Sequence, residues 1–138
     1  MNKLLLILMT ICSSASASET QLKACPNKPN CVSSMASDSH RIEPFQLKQG
    51  QAISSQQLSD IVQQLEPRIS LSINKHQLHA DISSRLFGFI DELDLILDPE
   101  QGIIHVRSAA RTGYYDFGVN RRRVEKLRTS LQQAGFIL

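Results

Sequence analysis

Three consecutive arginines, Arg121, Arg122 and Arg123, open the last helical pattern of the chain. They follow Arg111, Tyr115 and Asp116 across a stretch punctuated by Gly113 and Gly118. A helix N-terminus carries about half a positive charge, so guanidinium groups in its first turn are disfavoured unless something negative stands nearby. Free N–H groups and guanidinium forks together suit a phosphate or a carboxylate. Arg111, Tyr115, Asn120, Arg121 and Arg123 are therefore the candidate ligand-binding residues, with Asp91 and Asp116 orienting the guanidiniums. The competing reading is internal. Asp116, Glu125 at i+4 from Arg121, and Asp91 or Glu92 could supply the compensating charge, and the arginines then serve the fold.

Asp91 also carries the one enzymatic alternative, a hydrolase or isomerase in which it acts as acid–base group while Arg111 or Arg121 binds substrate charge. General acid–base work needs that carboxyl within about 3 Å of the reacting proton. The histidines, His40, His76, His79 and His105, have no metal-ligand or triad spacing with carboxylates or cysteines, and His79 and His105 fall on polar strand positions where solvation is the default. No metal or cofactor is expected.

The N-terminus points to export. Lys3 precedes the apolar run from Leu4 to Ile11, and Ala15-Ser16-Ala17 offers a small-residue cleavage site, the pattern of a secretory signal peptide over residues 1–17. The run is too short to span a bilayer, which takes roughly 20 apolar residues. Cys12 follows Ile11 rather than a small residue, so a lipoprotein is the lesser reading. Cleavage leaves Cys25 and Cys31, an even pair in an oxidising compartment, and a disulfide is expected. Closing a loop of about seven residues contributes roughly 2.4 kcal/mol by loop entropy.

The elements that must position these residues follow from periodicity. Residues 18–41 form a Ser-rich arm with the Cys25–Cys31 loop, its aperiodic stretch from Val32 to Arg41 expected at the surface, and Ile42 to Leu47 is a short edge strand marked by Pro44. A helix capped by Ser54 or Ser55 buries Leu58, Ile61, Val62 and Leu65 and stops at Pro67. Period-two runs from Ile69 and Leu78 make a hairpin around Asn74-Lys75-His76. Phe87, Phe89, Leu93, Leu95 and Leu97 share one parity of the next strand, and Asp98-Pro99-Glu100-Gln101-Gly102 turns it into Ile103–Ser108. Pairing Leu97 with Ile104, Leu95 with Val106 and Leu93 with Ser108 keeps His105 and Arg107 away from the leucines. It also sets Asp94 opposite Arg107, an exposed ion pair worth about 0–1 kcal/mol. A helix from Asn120, its expected N-cap, runs to Gln133. The sum is one α+β domain over 42–138, order β-α-β-β-β-β-α, an antiparallel sheet with helices on one face.

Composition sets the outer limits. The chain has 138 residues, 41% hydrophobic and 20% charged, enough for one modest core. A formal charge of +2 excludes a strongly basic nucleic-acid binder or an acidic tail. Two blocks resemble the exported bacterial and plastid-lumen family called domain of unknown function 1499. One is Cys25-Pro26-Asn27-Lys28-Pro29-Asn30-Cys31-Val32-Ser33-Ser34. The other is Phe87-Gly88-Phe89-Ile90-Asp91-Glu92, followed by Val106-Arg107-Ser108 through Arg123-Val124-Glu125. The chain departs from it in Glu92, where Asp is common, and in Ala109-Ala110, where serine is common. The resemblance implies one exported domain and no stated activity. The expectation is a periplasmic or secreted, non-catalytic binding or accessory protein of the cell envelope. Its partner would be an anionic small molecule, a lipid headgroup or an envelope protein, with no nucleic acid and no transmembrane segment in the mature chain.

Overall fold

The computed structural model describes residues 21–84 and 87–138, so the expected signal peptide and Cys12 lie outside the described residues. Along the chain run β1 (Cys31–Ser33), β2 (Phe45–Gln46), α1 (Ser55–Gln63), β3 (Ile69–Asn74), β4 (Gln77–Ser83), β5 (Ile90–Asp98), β6 (Ile103–Ala110) and α2 (Val119–Gln133). The fold is α+β. All pairings between these strands are antiparallel, in the order β1-β6-β5-β4-β3, with β2 also paired to β6.

Alternation decides which face is covered. Leu78, Ala80 and Ile82 of β4, Leu93, Leu95 and Leu97 of β5, and Ile104 and Val106 of β6 point to one face and are buried there. Leu58, Val62 and Leu65 from the α1 region and Val124, Leu127 and Leu131 of α2 complete that core. The β5–β6 register is the expected one, Leu97 with Ile104, Leu95 with Val106, Leu93 with Ser108 and Asp94 with Arg107. α1 begins with a reciprocal capping box. The Ser54 hydroxyl accepts from Gln57 N–H at 3.1 Å, and Gln57 Oε1 accepts from Ser54 N–H at 3.0 Å.

Four expectations need correction. The Ser-rich arm is not all surface: Asn30 to Ser34 are buried, and Cys31–Ser33 is an edge strand, with Val32 opposite Ser108 and packed into the core. Three residues are too few for periodicity to reveal a strand. The expected strand 42–47 is reduced to Phe45–Gln46, because Pro44 has no N–H to offer the ladder. β5 begins at Ile90, which leaves Phe87 and Phe89 in the preceding loop and exposed rather than on the leucine face. Finally, α2 starts at Val119 with Gly118 as N-cap, in the left-handed region at φ 75°, not with Asn120.

The Cys25–Cys31 disulfide forms as expected. It ties the incoming chain to β1 and hence to β6. Reduction should lower unfolding stability by about 2.4 kcal/mol, read by denaturant unfolding of oxidised against reduced protein. An unchanged midpoint would show that the loop contributes nothing to the fold.

Candidate functional site

Asp116 sits just before α2 and does the capping that Asn120 was expected to do. Its Oδ1 accepts from Gly118 N–H at 2.9 Å and its Oδ2 from Asn120 N–H at 3.1 Å. Burial pushes its carboxyl up, but the Asn120 side chain and the Asn120 and Gly118 N–H groups outweigh that and hold it below the ordinary value. Asn120 itself is fully buried and spans three elements. Its Nδ2 donates to Asp116 Oδ2 at 2.8 Å and to Asn30 C=O at 3.3 Å. Its Oδ1 accepts from Ser108 Oγ–H and from Arg123 Nη1, each at 2.7 Å.

The three arginines divide sharply. Arg123 is buried, and its Nη2 donates to Asp91 at 2.7 Å while Nη1 also donates to Ser108 Oγ at 3.2 Å. This is the internal compensation weighed from the sequence, and it places Asp91 on a guanidinium. Arg122 is exposed and donates to Phe117 C=O at 2.7 Å. Arg121 is exposed and reaches carbonyls alone among the contacts described, Arg41 C=O at 3.3 Å and Ser39 C=O at 3.5 Å. Glu125 pairs with Arg128 instead, at 3.0 Å.

Arg111 belongs to a different surface. Ala110 shares the covered face with Asp91, so Arg111, the next residue, turns to the open face. There it binds Asp81 and, at 3.2 Å, Glu92. Arg107 lies beneath with its side chain only 3% exposed, between Glu92 at 3.3 Å and Asp94 at 3.2 Å. The expected Arg107–Asp94 pair is thus present but buried on its cationic side, where removing a partner strands a charge. Burial pushes Glu92 up, but hydrogen bonds from Arg111 and Arg107 outweigh it and hold its carboxyl below the ordinary value. His79 completes the network and is not merely solvated. Its Nδ1 meets Asp94 at 2.6 Å and its Nε2 meets Asp81 at 3.1 Å. Residues Gln21, Leu22 and Lys23 line a cleft of about 310 Å³ with His79, Glu92 and Asp94, so the chain entering the disulfide loop lies beside this face.

Of the five sequence candidates, Tyr115 and Arg121 share an accessible cleft. It measures about 280 Å³ and is also lined by Ser39, His40, Asp116 and Gly118. Sequence reasoning missed His40. Its Nε2 contacts Lys28 C=O at 2.8 Å and its Nδ1 contacts Asp38 at 2.9 Å. A carbonyl can only accept, so Nε2 carries a proton, and the carboxylate favours a second one on Nδ1. The Lys28 carbonyl and Asp38 accordingly raise its pKa against the opposing effect of burial. Nothing in sequence spacing joins His40 to Lys28; the disulfide loop brings them together. Among the described residues no group of three or more His, Cys, Asp or Glu is placed to hold a metal.

Two outcomes follow. Arg123→Met leaves Asp91 without its cation and Asn120 Oδ1 without one donor, so it should cost about 3–5 kcal/mol, whereas Arg121→Ala should stay within about 0.5 kcal/mol; denaturant unfolding of both variants measures the contrast. For His79, burial lowers the pKa but Asp94 and Asp81 raise it further, above the ordinary 6.5. The stabilisation is then fully present below about pH 6.5 and is lost as pH rises through the folded-state value. Unfolding stability should fall as pH rises above about 6.5, and His79→Gln should make that slope shallower. An NMR titration placing the His79 midpoint below 6.5 would contradict this origin.

No curated protein and no solved structure matches the chain. The family model described as protein of unknown function (DUF1499) matches residues 21–131, which takes in every strand, α1 and most of α2. The chain belongs to the DUF1499 family.

Proposed function

We propose that this chain is a non-catalytic binding or accessory protein of the cell envelope that recognises an anionic ligand or partner at the cleft beside the start of α2. Arg121 carries the reading. Of the three first-turn arginines, Arg123 is committed to Asp91 and Arg122 to a backbone carbonyl at 2.7 Å, while among the described residues Arg121 makes only long contacts to carbonyls. Its guanidinium is exposed in a cleft with the Tyr115 side chain and lies at the positive end of the α2 dipole. The carboxylate lining the cleft, Asp116, is engaged by N–H groups and Asn120, which reduces its repulsion of an incoming anion. His40 on the cleft wall adds positive charge when protonated. Export to the periplasm or beyond is supported by the Lys3 to Ala17 pattern and fits a disulfide-bearing domain.

The test is thermal unfolding of the oxidised protein against inorganic phosphate, glycerol 3-phosphate, citrate and sugar acids. A ligand present at 100 times its dissociation constant should stabilise by roughly 2.7 kcal/mol. The shift should vanish in Arg121→Glu while that variant's unliganded stability stays near the parent. Equal shifts in parent and variant would move the site elsewhere, and no shift with any anion would remove the small-anion reading.

A further inference from the structure

Five of the seven aromatic residues are exposed, and all five leave one end of the sheet. Phe87 and Phe89 precede β5; Tyr114, Tyr115 and Phe117 follow β6. Their exposures run from 58% to 76%. The two loops come together where Arg111 N–H donates to Ile90 C=O at 2.9 Å. Within each loop the rings lean on one another, with centroids 5.8 Å apart for Phe87–Phe89 and 4.9 Å for Tyr115–Phe117. Rings of this size ordinarily dominate a core, and a cluster left in water marks an interaction surface.

Phe117 supplies a second, independent observation. Its backbone is left-handed at φ 56°, an outlier for a bulky residue. Asparagine or glycine would hold that conformation at lower cost. The strain buries nothing, because the ring is the most exposed of the five. A strained backbone that displays an apolar ring points to a role outside the fold.

The rim is basic. Arg121 and Arg122 are exposed in the first turn of α2, and exposed Lys28 reaches Gly113 C=O at 3.5 Å in the tyrosine loop. The opposite end of the strands carries Asp98 and Glu100, against Lys48. We infer that the aromatic end docks onto an anionic lipid surface, with its phenylalanine and Tyr114 rings in the headgroup region and Arg121 on lipid phosphates. Aromatic rings settle at that depth of a bilayer, and guanidinium forks match phosphate. Loop tips suit a bilayer better than a protein partner, which needs a patch of about 800 Å² on each side. The inference rests on the anion reading above through Arg121 and deepens it by naming the source of the phosphate.

The chain contains no tryptophan, so Tyr114→Trp provides a single reporter. In residues 18–138, which hold every element described and the disulfide, its emission should shift to the blue on phosphatidylglycerol vesicles and not on phosphatidylcholine vesicles. Arg121→Ala should weaken vesicle binding roughly fivefold. Phe117→Asn should weaken it about tenfold while thermal stability holds or rises, which separates a lost contact from a damaged fold. Absence of a blue shift on phosphatidylglycerol would overturn the inference. So would a shift that grows with protein concentration without vesicles, which would give the surface to a second copy. Soluble glycerol 3-phosphate separates the two proposals. Its binding without a vesicle shift sustains the anion cleft and removes the bilayer; a vesicle shift without its binding does the reverse.

Discussion

Asn120 has two amide donors, two lone-pair directions and no access to water, so each of its four hydrogen-bonding positions must find a protein partner. All four do, and the partners come from four places: Asp116 before α2, Asn30 before β1, Ser108 on β6 and Arg123 one turn along the helix. The geometry that satisfies this one amide fixes where α2 meets the sheet, how the disulfide loop enters, and how the loop after β6 returns. Arg123 extends the constraint to β5 through Asp91. The hub amide is fully satisfied, whereas Arg123 Nε and Asn30 Oδ1 at its margin are buried without a hydrogen-bond partner among the described residues, so the rigidity of the network is centred on Asn120 itself.

Arginine placement follows from that constraint. α2 starts with three cations in a first turn that disfavours them, and one of the three is drawn inward to neutralise Asp91. The other two are held by carbonyls and stay at the surface, so the positive end of the helix remains positive. On the reverse side of the same strands, Arg107 and Arg111 are surrounded by Asp81, Glu92 and Asp94, with His79 between two of the carboxylates. The sheet thus carries an ion network on each face near one end. Charge on the open face is consumed locally, and charge at the start of α2 is not.

Much of this was legible in the residues. The β5–β6 register followed from keeping Arg107 and His105 off the leucine face, and the same parity put Asp94 across from Arg107. Ser54 or Ser55 marked the start of α1, and Ser54 is the residue that caps it. Parity also held a signal for Arg111 that pooling it with Arg121 and Arg123 ignored: a strand that places Ala110 beside Asp91 must send Arg111 to the other face. Other features had no local signature. β1 is three residues long and is defined by its partner β6, while His40 meets Lys28 only because Cys25 and Cys31 close the loop between. The α2 cap was misread because Asn commonly caps helices, whereas a left-handed Gly118 lets Asp116 reach back to the N–H groups and frees Asn120 for the core.

The disulfide loop joins these parts mechanically. Asn30 donates from Nδ2 to Gly113 C=O at 3.0 Å and accepts from Asn120 through its own carbonyl, so a single residue before β1 braces both the tyrosine loop and the buried hub. Arg122 adds a third brace at Phe117 C=O, and the Cβ a larger residue would bring to position 118 would stand 3.1 Å from that guanidinium. Gly118 is required for its positive φ, while a Cβ there would press only on the flexible end of Arg122. The loop that displays Tyr114, Tyr115 and Phe117 is in consequence pinned at 113, 117 and 118 while its rings stay in water. A surface held this way loses little conformational freedom on binding, and the entropy of ordering has been met by the covalent loop and the hydrogen bonds at its base.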